Sequence, residues 1–246
     1  MNPYQEEERK KEAEKEELQN IYKIEIEEGS LYVDIEKVKV SDIILNRWAS
    51  HISRADNYLS IPMYRNFIKT LSAKAGDIEL GDKTWLHDPI RLPRFILLGF
   101  VPKDNYYGSP STNPFLFKRL DFRNASLVRE NFYEPLDPYD TGKSATSKKA
   151  LQLFYKQLAE IGHHYQAGGF NTPLTKEGYE SNQFFLAFDR SSNKDNGHFP
   201  VKTDTGTLGL NLELREALTE DMVIVAYISY DSELRLYSHG VESSVY

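Results

Sequence analysis

Within the stretch DPYDTGKSAT, residues 137–146, Gly142, Lys143 and Ser144 stand in the order that a nucleotide-binding loop uses. Such a loop also needs a glycine five residues earlier, so that backbone N–H groups can wrap the phosphates. That position is Asp137, and Asp140 adds a second carboxylate where a phosphate would sit and like charges repel. The preceding RENFYEPLD, with Pro135 and then Pro138, predicts no buried strand to launch the loop. The stretch reads as a polar turn leading into a helix.

The histidines are His51, His87, His163, His164, His198 and His239, and no two lie four apart as paired helical ligands do. His163 and His164 are adjacent, so their side chains diverge, and they read as a polar helix end. No Gly-x-Ser-x-Gly elbow occurs. The chain has no cysteine, which excludes disulfides, thiolate metal sites and cysteine nucleophiles. Carboxylates are numerous, but spacing alone does not pair two across a cleft, so glycosidase chemistry is neither supported nor excluded. The expectation is a non-enzymatic chain with no catalytic, cofactor-binding or metal-binding residues.

The 246 residues suffice for one large all-β domain or two small ones. Aromatics make up 13% of them, favouring strands over helical bundles. No apolar run approaches the ~20 residues of a membrane span. The N-terminus lacks the apolar stretch of a signal peptide, so the acceptor pattern Asn124-Ala125-Ser126 carries no weight as a glycosylation site. Net charge is −7, of which residues 1–30 contribute −5, leaving about −2 for the body. A near-neutral body behind an acidic leader argues against direct nucleic-acid binding, which needs clustered Lys and Arg.

Residues 1–30 are expected to form a charged, partly helical arm, with Glu7 and Lys11 four apart on one face. Residues 31–246 are expected to form a single domain. In LYVDIEKVKV (31–40) the apolar phase slips by one residue, which predicts a strand with a bulge near Glu36 and Lys37. SDIILNRWASHI (41–52) predicts a helix capped by Ser41 or Asp42, with Ile44, Leu45, Trp48 and Ile52 on one stripe. YLSIPMYRNFIKTLSA, DIELGDKTWL and RFILLGFV read as strands, followed by a long Gly/Pro/Ser loop and the strand KRLDFRNASLV. SKKALQLFYKQLAEIG predicts a helix with Leu151, Phe154, Tyr155, Leu158 and Ile161 on one face and Gly162 as its stop.

In QFFLAFD, Phe184, Leu186 and Phe188 alternate as core residues. TLGLNLELRE points Leu208, Leu210, Leu212 and Leu214 inward and Gly209, Asn211 and Glu213 outward. MVIVAYISY is apolar on both phases and reads as a central strand. About eight short strands separated by turns predict an all-β sandwich or barrel.

Leu92 and Pro93, the strand RFILLGFV, Asn105 and Gly108, then Asn113, Pro114, Phe115, Phe117 and Lys118 occur in one order. This order resembles the major capsid protein of Polinton (Maverick) elements and the related adintoviruses. The likeness continues through ALQLFYKQLAEIG, the strand ending in Phe185, Ala187, Phe188 and Asp189, the turn Gly197-His198-Phe199, and the closing pair of strands. VDIEKVKVSDIIL is similar to the strand and helix that open the second half of that family. Over residues 31–237 the resemblance implies the second of two tandem jelly rolls: a jelly-roll β-sandwich with one or two short helices. It further implies trimers, contacts with other capsid proteins, no cofactor and no membrane, and a place in the virion, or otherwise in the host nucleus or cytoplasm. The alternatives are a non-catalytic sandwich that binds a ligand or carbohydrate, and an enzyme whose site the sequence does not reveal.

Overall fold

A computed structural model describes residues 27–29, 32–34, 37–54, 57–82, 84–88, 92–108, 111–129, 132–161, 174–191, 205–238 and 240–244. The chain divides into two compact units, Met1–Asn46 and Arg47–Tyr246. Residues 1–26 and 30 of the expected arm, the turn at Gly197-His198-Phe199, and His163, His164, His198 and His239 lie outside the described residues.

Of the predicted strand at 31–40, residues 32–34 and 37–40 form no strand, and Tyr32, Val33 and Val38 are exposed. Alternation prepares a segment for a sheet, but a strand also needs a neighbour for its backbone. The proposed bulge falls partly on Glu36, outside the described residues. The expected helix is present as α1 (Asp42–Ile52), with the Ser41 carbonyl accepting from the N–H groups of Ile44 and Leu45. None of its residues is buried.

The described residues of the second unit form ten strands. They are β1 (Leu59–Ala73), β2 (Glu79–Leu80), β3 (Leu86–Asp88), β4 (Phe95–Pro102), β5 (Phe122–Arg129), β6 (Phe132–Tyr139), β7 (Phe185–Asp189), β8 (Gly206–Leu214), β9 (Met222–Tyr237) and β10 (Gly240–Ser244). Helix α2 (Lys103–Tyr107) lies in the loop after β4, and α3 (Lys148–Glu160) and α4 (Lys176–Ser181) precede β7. The short α2 and α4 come in addition to the two helices the sequence predicts.

One sheet runs β1-β9-β4-β7, with β10 also on β9. The other runs β2-β8-β5-β6, with β3 also on β8. Setting β10 aside and counting β2 and β3 as one interrupted strand, the pairs are nested: first with last (β1·β9), second with next-to-last (β2 and β3 with β8), then β4·β7, then β5·β6. All are antiparallel. Rolling this long nested hairpin on itself adds β4·β9 and β5·β8 and produces two packed sheets. That wiring is a jelly-roll β-sandwich, the form of sandwich that the family resemblance implies.

The core follows from strand phase. Leu208, Leu210, Leu212 and Leu214 of β8 are all buried, and Phe184, Leu186 and Phe188 face them from the other sheet's side of the core. Gly209 is buried as well, because β8 lies inside its sheet rather than at an edge. Strand β9 takes the central place its two apolar phases require.

DIELGDKTWL does not form one strand. It breaks into β2 and β3, because Gly81 adopts φ +116° and a Cβ there would lie 2.2 Å from the Leu210 carbonyl oxygen. Asp82 and Thr84 are exposed, and Trp85 plugs the core at 2% exposure. Most of RENFYEPLD is strand β6, and none of residues 132–137 is buried, in keeping with the expectation of no buried strand there. Its prolines are tolerated because β6 is an edge strand, and they fall where the β5·β6 register is irregular.

Candidate interaction surfaces

The sandwich has two lateral sides, and the chain finishes them differently. Helix α3 closes the side bounded by β7 and β6. Its first turn is capped by Ser147, whose hydroxyl accepts from the Ala150 N–H at 3.1 Å, a contact typically worth about 1 kcal/mol. Its buried face is Ala150, Leu153, Phe154, Gln157, Leu158 and Glu160, whereas Leu151 and Tyr155 are exposed. The expected face is therefore rotated by about one residue. Two polar residues occupy it because they bond the edge of β7. Gln157 Oε1 accepts from the Ala187 N–H at 2.5 Å, and Glu160 Oε2 from the Asp189 N–H at 2.9 Å. Sequence periodicity scores both as solvent-facing, so this pairing was not readable from it.

Tyr179 of α4 completes the closure. It is fully buried, donates to the Phe185 carbonyl at 2.8 Å, and joins Phe154 to Phe184 at ring distances of 5.4 and 5.1 Å. Burial pushes its hydroxyl pKa well above the ordinary value, with Glu180 adding to the effect. Below the helix, Arg190 Nε pairs with Glu134 at 2.6 Å and its Nη1 donates to the Pro93 carbonyl at 2.7 Å. That contact ties edge strand β6 to the opposite sheet.

The loop Asp140–Ser147 carries the nucleotide-like letters. Asp140 accepts from the Gly142 N–H at 2.7 Å and from Lys149 Nζ at 2.6 Å, and it also pairs with Arg215. Burial raises its pKa, but the bonds from Arg215, Lys149 and Gly142 outweigh burial and hold the carboxyl at about 2. The Gly142 N–H is thus already spent on a carboxylate, and Ser144 Oγ lies 3.0 Å from Thr146 Oγ1. The polar turn leading into a helix is what forms.

Beside this loop, a cavity of about 490 Å³ is lined in part by Arg123, Asn124, Asp137, Lys149, Gln152 and Lys156. Its charges are matched within the wall: Lys149 with Asp140, Lys156 with Asp137 at 3.6 Å, and Arg123 with Glu213 at 3.4 Å. Among the described residues no group of three or more His, Asp or Glu is placed to hold a metal ion. No helix among them is long and apolar enough to cross a membrane. Ser126 is fully buried in β5, so the glycosylation-like pattern sits inside the sheet.

The opposite side is bounded by β1 and the β2–β3 segment. Lys69 reaches across it to donate to the Trp85 carbonyl. Ile61, Phe67 and Ile68 of β1 are exposed at 39%, 52% and 73%. On the far side, Phe132, Tyr133 and Leu136 of β6 are exposed at 69%, 47% and 87%. A third exposed group, Tyr106, Tyr107 and Phe115, lies in and after α2, beyond the end of β4. The composition and periodicity that located the core gave no sign of these surfaces, since an exposed phenylalanine reads like a buried one.

No protein-family model matches the chain, and no curated protein matches it. Among solved structures, it is similar to a chain in the cryo-EM structure of the Sputnik virophage, with a TM-score of 0.40 and 15% identity. That alignment covers 78% of this chain and 40% of the other. It is also similar to PBCV-1 VP54, in a crystal structure fitted into a reconstruction of the virophage Sputnik, with a TM-score of 0.39 and 9% identity. There 76% of this chain and 52% of the other are covered. The chain thus spans about half or less of each of these two proteins.

Proposed function

We propose that the chain is a structural shell subunit of a Polinton- or adintovirus-type DNA element, acting by lateral self-association of jelly rolls in the virion. The observation that carries this reading is the pair of opposite lateral sides, β1 and β6, that each expose at least three large aliphatic or aromatic side chains. A single exposed patch serves a pairwise contact. Apolar patches on opposite sides suit head-to-tail contacts that extend into rings or arrays. The ordered sequence likeness over residues 31–237 supports the same reading. Residues 31–246 are taken as the assembling domain and residues 1–30 as an acidic arm that limits open-ended aggregation by like-charge repulsion.

The test is multi-angle light scattering across a concentration series, with electron microscopy of the peak fractions. Concentration-dependent oligomers that are lost on Phe132→Ser with Leu136→Ser are expected. A monomer at the highest concentrations overturns the reading. A second reading, ligand binding without catalysis, draws on the cavity beside Asp140. Saturable binding of a glycan by a monomer, lost on Gln152→Ala, would favour it.

A further inference from the structure

We propose that the free edge of β1 is a docking edge for one extended strand, supplied by another polypeptide, in which aliphatic and acidic residues alternate. This narrows the shell-subunit reading by assigning the β1 side a partner of stated chemistry.

Hydrogen-bond phase shows which groups of β1 are open. The Arg190 N–H donates to the Arg94 carbonyl, and the Lys118 N–H to the Phe100 carbonyl. Even-numbered residues of β4 therefore turn their backbone groups toward β7, and odd-numbered ones toward β9. Carried through the β4·β9 and β1·β9 registers, this makes odd-numbered residues of β1 bond β9. The N–H and C=O groups of Tyr64, Asn66, Ile68, Thr70 and Ser72 then point away from the sheet, where β1 has no strand partner among the described residues. Pro62 lacks an N–H and bounds the open run at one end.

Side chains set the partner. The odd face of β1 carries Arg65 and Lys69 flanking the exposed Phe67, and β1 contains no acidic residue. Arg65 has no carboxylate partner among the described residues. On the even face, Ile68 stands opposite Tyr227 of β9, both exposed. An added antiparallel strand is matched on both faces if its acids fall beside Arg65 and Lys69 and its aliphatics beside Ile68. A second copy of β1 would bring Arg65 and Lys69 near their own duplicates, and like charges across a strand pair are unfavourable. Backbone pairing would supply affinity, and the alternating side chains specificity.

The probe is a synthetic fluorescent peptide, YKIEIEE, a pattern that occurs in this sequence at residues 22–28. Binding to the full chain is measured by anisotropy at concentrations where the protein is monomeric, so the outcome is independent of self-assembly. Saturable binding is expected, weakened about tenfold by Arg65→Glu, a loss of one favourable charge contact. N-methylation of both isoleucine amides, the set that faces β1, is expected to abolish binding. N-methylation at the first and second glutamates is expected to preserve it. Because these changes lie in the peptide, they leave the protein fold untouched. Equal binding of the two methylated peptides, equal binding of YKIKIKK, or no binding up to about 1 mM would overturn the proposal. So would a dimer, seen without peptide, that the peptide fails to dissociate.

Discussion

The Glu160 carboxylate accepts the backbone N–H of Asp189 at 2.9 Å, one turn along α3 from Gln157, which does the same for Ala187. Two side chains at i and i+3 of a helix thereby stand in for a neighbouring strand. Unpaired strand edges invite association with other chains. Among the described residues the edge at β7 is covered by these side chains, and the edge at β1 has no strand partner.

Removing one of these acceptors strands a buried donor. Gln157→Ala is expected to cost about 1–3 kcal/mol, while Leu151→Ala on the exposed face stays within about 0.5 kcal/mol. Denaturant melts measure both. Hydrogen exchange at the Ala187 amide should rise in the first variant alone, and equal costs would return the helix to the face that periodicity suggests.

Gly99 admits the Phe117 ring, which a Cβ at that position would meet at 2.6 Å. Gly99→Ala is expected to destabilise by about 1–3 kcal/mol through overpacking. Combined with Phe117→Ala, the two losses should be less than additive, because the shortened side chain removes the clash. Additive losses in a double-mutant cycle would show that the ring does not depend on the missing Cβ.

Leu212 is fully buried in β8, and its neighbour Glu213 pairs with the exposed Arg123. Leu212→Ala should cost about 2–5 kcal/mol. Glu213→Ala should stay within about 0.5 kcal/mol. Thermal or chemical melts that show equal losses would reverse the strand phase.

Asp140 supplies a pH dependence. Its carboxyl is held at about 2 in the fold against 3.8 unperturbed. A depressed carboxylate contributes stability that is complete above the unfolded pKa and lost as pH falls through the folded one. The window is therefore pH 4 down to pH 2. After allowance for solvent screening the contribution is about 1 kcal/mol. Asp140→Asn should lose that amount at neutral pH and flatten the decline within the window; an unchanged acid limb would remove Asp140 as its source.

The same contacts predict that ATP and GTP do not bind at Gly142, Lys143 and Ser144. Calorimetry with and without magnesium should be flat. Micromolar binding that disappears on Lys143→Ala would contradict the occupied Gly142 N–H.

Strand phase was legible from residue types alone wherever one face is buried in the chain's own core. The leucines of β8 and the two-phase apolar run of β9 needed only local alternation, because burial of each residue follows its neighbours by a period of two. The polar turn leading into α3 was likewise legible in Asp137 and Asp140. Three other features were decided only by tertiary contact. Within LYVDIEKVKV the described residues 32–34 and 37–40 form no strand, because an apolar pattern supplies no hydrogen bonds of its own. RENFYEPLD became β6 despite Pro135 and Pro138, because its place at a sheet edge removes the need for those N–H groups. Gln157 and Glu160 were buried against their polarity because the donors they satisfy belong to β7, 29 and 30 residues away in the chain. A local pattern reports what a side chain prefers, and the rolled sheet determines which backbone groups still need a partner.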